Sequence, residues 1–117
     1  QLHYAKEICA VTNPIINSYR RLVPGVEAPT AINFGQANRA SCVRIPRYVK
    51  NVQETRFEYR PPDATANPYL ALTAILLAGI DGIVNKIDPV KEGFGPYEAE
   101  KRGLGVVFDP NWPPKRT

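Results

Sequence analysis

Residues 67–87 (NPYLALTAILLAGIDGIVNKI) limit the fold more than any other part of this chain. Asn67 is a good N-cap and Pro68 a good first helical residue, so the pattern predicts a helix over 69–87. Leu72, Ile75, Leu76, Gly79, Ile83 and Ile87 fall on one face at helical spacing. Leu70, Ala71, Ala74, Leu77, Ala78 and Ile80 make the other faces apolar as well. Asp81, Asn85 and Lys86 interrupt the run, which leaves roughly a dozen uninterrupted apolar residues against the ~20 a membrane span needs. A helix that is apolar all round belongs at the centre of a fold. A chain of 117 residues cannot easily bury one on every face. The expectation is therefore a piece of something larger, or an oligomer. The sequence has no methionine at its start or anywhere else, and its beginning reads as a cut inside a longer protein.

A second pattern carries chemistry. Residues 56–60 (RFEYR) alternate charged and aromatic side chains, which on a strand point to opposite faces in turn. Arg56, Glu58 and Arg60 then share one face, with about 7 Å between successive members. Phe57 and Tyr59 share the other and can anchor the strand in a core. Two guanidiniums flanking a carboxylate suit a site that holds anionic substrates and a metal ion together. A solvated ion-pair stripe on a surface strand is the competing reading.

The charge distribution bears on that choice. The net charge is +4, and residues 20–60 alone hold eight basic side chains against three acidic ones. Most of the eight are arginine, whose two-pronged fork matches carboxylate and phosphate. A local arginine cluster fits small phosphorylated ligands better than a nucleic acid. Arg44 lies between Val43 and Ile45 in an apolar strand, where a charge must be paired or face a site. Arg39 follows a turn-rich approach, Gly35-Gln36-Ala37-Asn38. Arg21, Arg39, Arg44 and Arg60, with Glu58 and few acids to pair them, imply an anion site.

The rest of the chain is read more briefly. Residues 2–11 predict the end of a helix, stopped by Asn13-Pro14. Residues 14–31, with Pro14, Pro24, Gly25 and Pro29, predict a long ordered loop anchored by Tyr19, Leu22 and Val23. Strands are expected at 31–34, 41–45 and 55–60, with a turn at 50–53. Cys9 and Cys42 lack metal-site spacing and read as buried thiols, a disulfide being the lesser alternative. The single histidine, His3, supports no nucleophilic triad. There is no P-loop and no GxGxxG. No basic-then-apolar start marks a signal peptide, and a cytoplasmic location is expected.

Four segments carry a resemblance. NPIINSYRRLVPGVEAP (13–29) resembles the glutamine synthetase signature NPTxNSYKRLVPGYEAP, and NRASCVRIP (38–46) resembles NRSAxxRIP. FEYRPPD (57–63) is similar to IEFRxPD, and ANPYLALTAILLAGIDGI (66–83) to ANPYLALAALLMAGLDGI. The motifs occur in the family's order and spacing over residues 2–90. Residues 91–117 are weakly specified, and 103–117 do not resemble the family's C-terminal helices. The chain is read as one partial catalytic domain over 1–117. Its architecture is α+β: antiparallel strands carry the active-site face and pack on a long buried helix.

The resemblance implies a type I-like ligase that joins ammonia to glutamate through γ-glutamyl phosphate, with ATP and Mg²⁺ or Mn²⁺. By motif position, Arg21 would bind substrate glutamate. Glu27 would lie on the flap over the glutamate entrance and help deprotonate ammonium. Arg39 would contact the transferring phosphoryl group, and Arg44 the ATP phosphates. Glu58 would ligate a metal ion, and Arg60 would bind the γ-carboxylate and the phosphate formed on it. Arg56 would lie near the nucleotide. Val26 replaces the usual flap tyrosine. Tyr97 sits near the place of a tyrosine adenylylated in enteric relatives, but its surroundings match poorly and no modification is expected. Partners are glutamate, ammonia and ATP, with no nucleic acid and no membrane. Relatives form dodecamers of two stacked rings. The family's other metal carboxylates, metal histidine and N-terminal β-grasp domain precede the matched region. One carboxylate cannot hold two or three cations, so this chain alone is predicted inactive. Competing readings are a ligase of glutamate with a polyamine or other amine, a non-catalytic truncated paralogue, and a basic RNA-binding domain. The last lacks an aromatic stacking motif.

Overall fold

A computed structural model describes residues 1–23, 28–47 and 50–97, and the backbone of Val106–Val107. Helix α1 (Ala5–Thr12) ends where Asn13-Pro14 stops it, the Asn13 N–H still reaching the Cys9 carbonyl at 2.9 Å. A short helix α2 (Ile16–Arg21) follows within the stretch expected to be loop. Its start is fixed locally: the Ile15 N–H donates to Ser18 Oγ at 3.3 Å, satisfying a donor that a helix end leaves open. Strands β1 (Ala31–Gln36) and β2 (Ser41–Ile45) come next, then a 3₁₀ turn (Val52–Glu54) and strand β3 (Glu58–Tyr59). Helix α3 (Pro68–Val84) and strand β4 (Val106–Val107) complete the order. The architecture is α+β, as expected.

The sheet order is β3-β2-β1-β4. Pairing is antiparallel for β2 with β3 and for β1 with β4, but β1 and β2 run parallel. That corrects the all-antiparallel expectation. Parallel neighbours usually need a crossover of a dozen or more residues, and only residues 37–40 separate these two. Several local devices accommodate the connection. The register shifts between Ala31 and Phe34, and Ala37 adopts a left-handed φ of 53°. Buried Asn38 accepts from the Ala40 N–H through its own Oδ1 at 3.0 Å. Strand β3 is also shorter than the predicted 55–60, which matters for Arg56 below.

The core lies between α1 and the sheet. Ala5, Cys9, Ile32, Cys42 and Phe94 are buried together, with Leu2, Phe34 and Tyr59 packed against them. Both cysteines are free thiols. Burial pushes Cys9 up to about 11 and Cys42 higher still, so both stay protonated and behave as small hydrophobes. Gly35 is required by a close approach: a Cβ there would stand 2.0 Å from the Tyr97 carbonyl oxygen. The 94–97 segment is laced to β1 by Phe34 N–H to Phe94 O and Tyr97 N–H to Phe34 O, both 2.9 Å.

Helix α3 starts as its sequence dictates, with Asn67 Oδ1 accepting from the N–H groups of Tyr69 (3.0 Å) and Leu70 (3.4 Å). Its burial does not follow the expectation. Only Ala71 and Ala78 are buried, while Leu72 is 66% and Ile83 80% exposed. The inward stripe is the small-residue one, and the large aliphatic face points outward. Tyr4 Oη donates to Asp81 at 2.5 Å and Gln1 Nε2 to the Ile75 carbonyl at 3.3 Å, tying α3 to the start of α1. No helix among the described residues is long and apolar enough to cross a membrane.

Candidate active site

Strand pairing assembles the charged cluster. In the β2–β3 register Arg44 lies directly opposite Glu58, and Val43 opposite Tyr59. Directly opposed residues share a face, and so do residues two apart on one strand. Arg44, Glu58 and Arg60 therefore meet. Arg44 Nε donates to Glu58 Oε2 at 2.7 Å, and Arg60 Nη1 donates to the same oxygen at 3.2 Å. The side chains of Arg44 and Arg60 are 16% and 15% exposed, whereas that of Glu58 is 47% exposed. The carboxylate thus bridges two largely sequestered guanidiniums at an open edge. The Arg44 hydrogen bond holds the Glu58 carboxyl below its ordinary value, against the opposing effect of burial and with Arg60 adding to it.

Arg39 joins through its backbone, its carbonyl accepting from Arg60 Nε at 3.1 Å. Arg60 is therefore held at two nitrogens in a fixed fork. Arg21 approaches from α2. Its Nη2 donates to the carbonyls of Arg60 (3.0 Å), Pro61 (2.6 Å) and Pro62 (3.4 Å), where β3 ends. Burial lowers the Arg21 pKa, and Asp63 opposes that effect. Asp63 is pushed up by burial, but hydrogen bonds from Ser18 and Thr65 outweigh it and leave the carboxyl below its usual range. Arg56 stands apart from the cluster. It precedes β3, its Nη1 donates to the Glu54 carbonyl at 3.2 Å, and it borders a hollow of about 390 Å³ with Pro46, Lys50 and Thr55. Glu27 lies outside the described residues.

The opposite face of the sheet is apolar. Leu2, Phe34, Val43, Phe57 and Phe94 line a cavity of about 250 Å³ between the sheet, residues 1–4 and α3. The alternation read from the sequence separates an aromatic side from an ionic one over 57–60, but does not extend to Arg56, which precedes β3. Among the described residues no three His, Cys, Asp or Glu side chains come together to hold a metal ion. Glu58, with one oxygen already shared by two guanidiniums, does not make a divalent-cation site by itself.

A polar clamp behind the cluster was not visible in the sequence. Asn13, read as a helix stop and as the first residue of the 13–29 motif, is fully buried, and its Nδ2 donates to the Pro61 carbonyl at 2.6 Å. Its spacing from Pro61 is non-local, so no periodicity could have revealed the pair. The single clue was an amide placed beside an apolar helix.

Comparison with known proteins places this chain in a family of catalytic domains. The family described as "Glutamine synthetase, catalytic domain" matches residues 1–101. The chain belongs to the glutamine synthetase catalytic-domain family. Glutamine synthetase of Mycobacterium bovis is 54% identical over 88 residues, which is 75% of this chain and 18% of that protein. Glutamine synthetase of Thermotoga maritima is 51% identical over 104 residues, 86% of this chain and 23% of that protein. A cryo-EM structure of Plasmodium falciparum glutamine synthetase superposes with a TM-score of 0.69 at 38% identity, covering 75% of this chain and 17% of that one. The chain therefore spans about a fifth of the length of the relatives it matches.

Proposed function

We propose that this chain is the arginine-bearing part of the catalytic domain of an ATP-dependent glutamate–ammonia ligase. The observation that carries the reading is the Arg44–Glu58–Arg60 cluster, with guanidiniums gathered around one carboxylate at a half-open edge. Phosphoryl transfer to glutamate and displacement of the phosphate by ammonia both build negative charge on oxygen, and fixed cations stabilise such charge most when they need not reorganise. Arg60 is held for that purpose, to bind the γ-carboxylate and the phosphate formed on it. Arg44 serves the ATP phosphates, Arg39 the transferring group, and Arg56 the nucleotide from its separate hollow. Arg21 serves substrate glutamate, and Glu27 the ammonium.

Mg²⁺ or Mn²⁺ would accompany ATP and neutralise phosphate charge, with Glu58 as the one ligand this chain lends. The described residues do not complete such a site, and the roles above involve no metal-bound step. The whole ligase would act in the cytoplasm as a homo-oligomer, a dodecamer by resemblance. The 117-residue chain alone is inactive in this reading. Ammonia is preferred over polyamines because the VPGVEAP flap carries Glu27.

The test is a segment exchange. The Thermotoga maritima relative, with this chain in place of its corresponding segment, should form glutamine from glutamate, ammonia and ATP. The isolated chain should form none. A folded exchange protein that uses putrescine but not ammonia would replace this reading with the amine ligase. One that uses neither would remove it.

A further inference from the structure

Arg60 stands at the end of the two-residue strand β3, followed by Pro61-Pro62, which offer no N–H groups to a sheet. Backbone pairing to β2 ends with the Arg60 N–H, which donates to the Cys42 carbonyl at 2.9 Å, so the chain from Pro61 onward must be held from elsewhere. The structure supplies that hold from the end of α1 and from α2. Asn13 Nδ2 and Arg21 Nη2 both donate to the Pro61 carbonyl, each at 2.6 Å. A carbonyl oxygen has two lone pairs, and these two donors can occupy both. The orientation of the Asn13 amide is itself fixed: the Pro61 carbonyl can only accept, so Nδ2 faces it and Oδ1 accepts from Thr12 Oγ1 at 2.8 Å. Turning the amide over would set an acceptor, Oδ1, against that carbonyl. Tyr19 Oη donates to the Asn13 carbonyl at 2.7 Å, and the Asp63 N–H to the Thr12 carbonyl at 3.3 Å, closing the ring around residues 60–63. Thr12, Asn13 and Pro61 are all essentially inaccessible to solvent.

We propose that Asn13 is a positioning residue for the ligase reaction: through the Pro61 carbonyl it fixes the backbone of Arg60, and so the guanidinium that meets Glu58. This rests on the ligase function proposed above. Asn13 touches no reacting group. The alternative is an ordinary buried helix stop whose loss would weaken the fold and leave the site alone.

The two differ in a double-mutant cycle run in the whole exchange protein, with kcat per folded active site and the KM for ATP measured. Asn13→Asp keeps the acceptor for Thr12 and replaces the donor with an oxygen facing the Pro61 carbonyl. It should lower kcat about 10- to 100-fold, with the KM for ATP unchanged. On an Arg60→Lys background the same change should cost less than about 3-fold, because the two act through one group. Should Asn13→Asp fail to fold, Thr12→Val decides: it takes the donor from Asn13 Oδ1, loosens the clamp and should lower kcat in the same non-additive way. Losses that multiply, or an unchanged kcat per folded site, overturn the positioning role while leaving the ligase reading intact. An unsubstituted exchange protein that folds but makes no glutamine overturns the ligase reading, and the positioning role with it.

Discussion

Glu58 concentrates the electrostatics of this chain in one oxygen atom. Its Oε2 accepts from Arg44 and Arg60, and the Arg44 bond holds the carboxyl below its ordinary value of 4.5. A carboxyl with a depressed folded-state value stabilises the fold above its unfolded value and loses that contribution as pH falls through the lower, folded one. The carboxylate is half-exposed, so solvent screening keeps the contribution under about 1 kcal/mol. Glu58→Gln should therefore lower the melting temperature slightly and by a constant amount above pH 4.5, and the difference should close as the pH drops further. Parallel pH–Tm curves for the two proteins throughout the acid range would show that the ion cluster contributes nothing. Much of this was legible from residues alone. A charge at Arg44 inside an apolar strand must find a partner, and the 56–60 alternation put Glu58 and Arg60 on one side. Arg56 was not legible: β3 begins two residues after it, so strand alternation does not govern where its side chain goes. The backbone targets of Arg21 and Asn13 were also hidden, because carbonyls some forty or more residues away leave no mark on local sequence.

At the scale of elements, the start of α3 and the docking of residues 94–97 on β1 depend on single residues. Asn67 accepts from two N–H groups at the head of a 17-residue helix. Asn67→Ala should cost about 1 kcal/mol, read by chemical denaturation as a lower midpoint with an unchanged slope. Gly35→Ala should cost more, about 1–3 kcal/mol, because a Cβ 2.0 Å from the Tyr97 carbonyl must push the 94–97 segment off β1. An alanine variant as stable as the parent would mean that this close approach is not part of the fold in solution. Helix α3 itself was legible to within three residues at its C-terminal end, since cap, first proline and apolar spacing agree. Helix α2 was missed because Pro14 and the polar run Asn17, Ser18, Arg20 and Arg21 resemble a loop by composition. Ser18 forms the cap that composition conceals. The parallel β1–β2 pair was missed for a physical reason too: a four-residue link ordinarily means a hairpin, and the register shift and left-handed Ala37 that allow otherwise have no sequence signature.

At the scale of the whole molecule, the described residues leave an apolar helix face open. Leu70, Leu72, Leu76, Leu77, Ile80 and Ile83 of α3 are exposed on a chain that spans about a fifth of the length of its relatives. Contiguous exposed aliphatic surface of this kind promotes association and binds apolar dyes. The isolated chain should enhance the fluorescence of such a dye strongly, and Leu72→Lys with Leu76→Lys should remove most of the enhancement. A chain that leaves the dye dark would show that this face is covered in solution. The sequence foretold the problem, since a helix apolar all round exceeds what a domain this small can bury. It could not tell which face turns inward. The fold buried the stripe of Ala71 and Ala78, where small side chains let α3 pack closely against α1. The function proposed here needs the ionic side of the sheet to handle anions under transfer, and one measurement addresses that directly. In the exchange protein, glutamate-dependent release of phosphate from ATP should proceed with Arg60 and fall at least about 100-fold in Arg60→Lys, whose point charge cannot reproduce the fork. Equal rates for the two proteins would contradict the account.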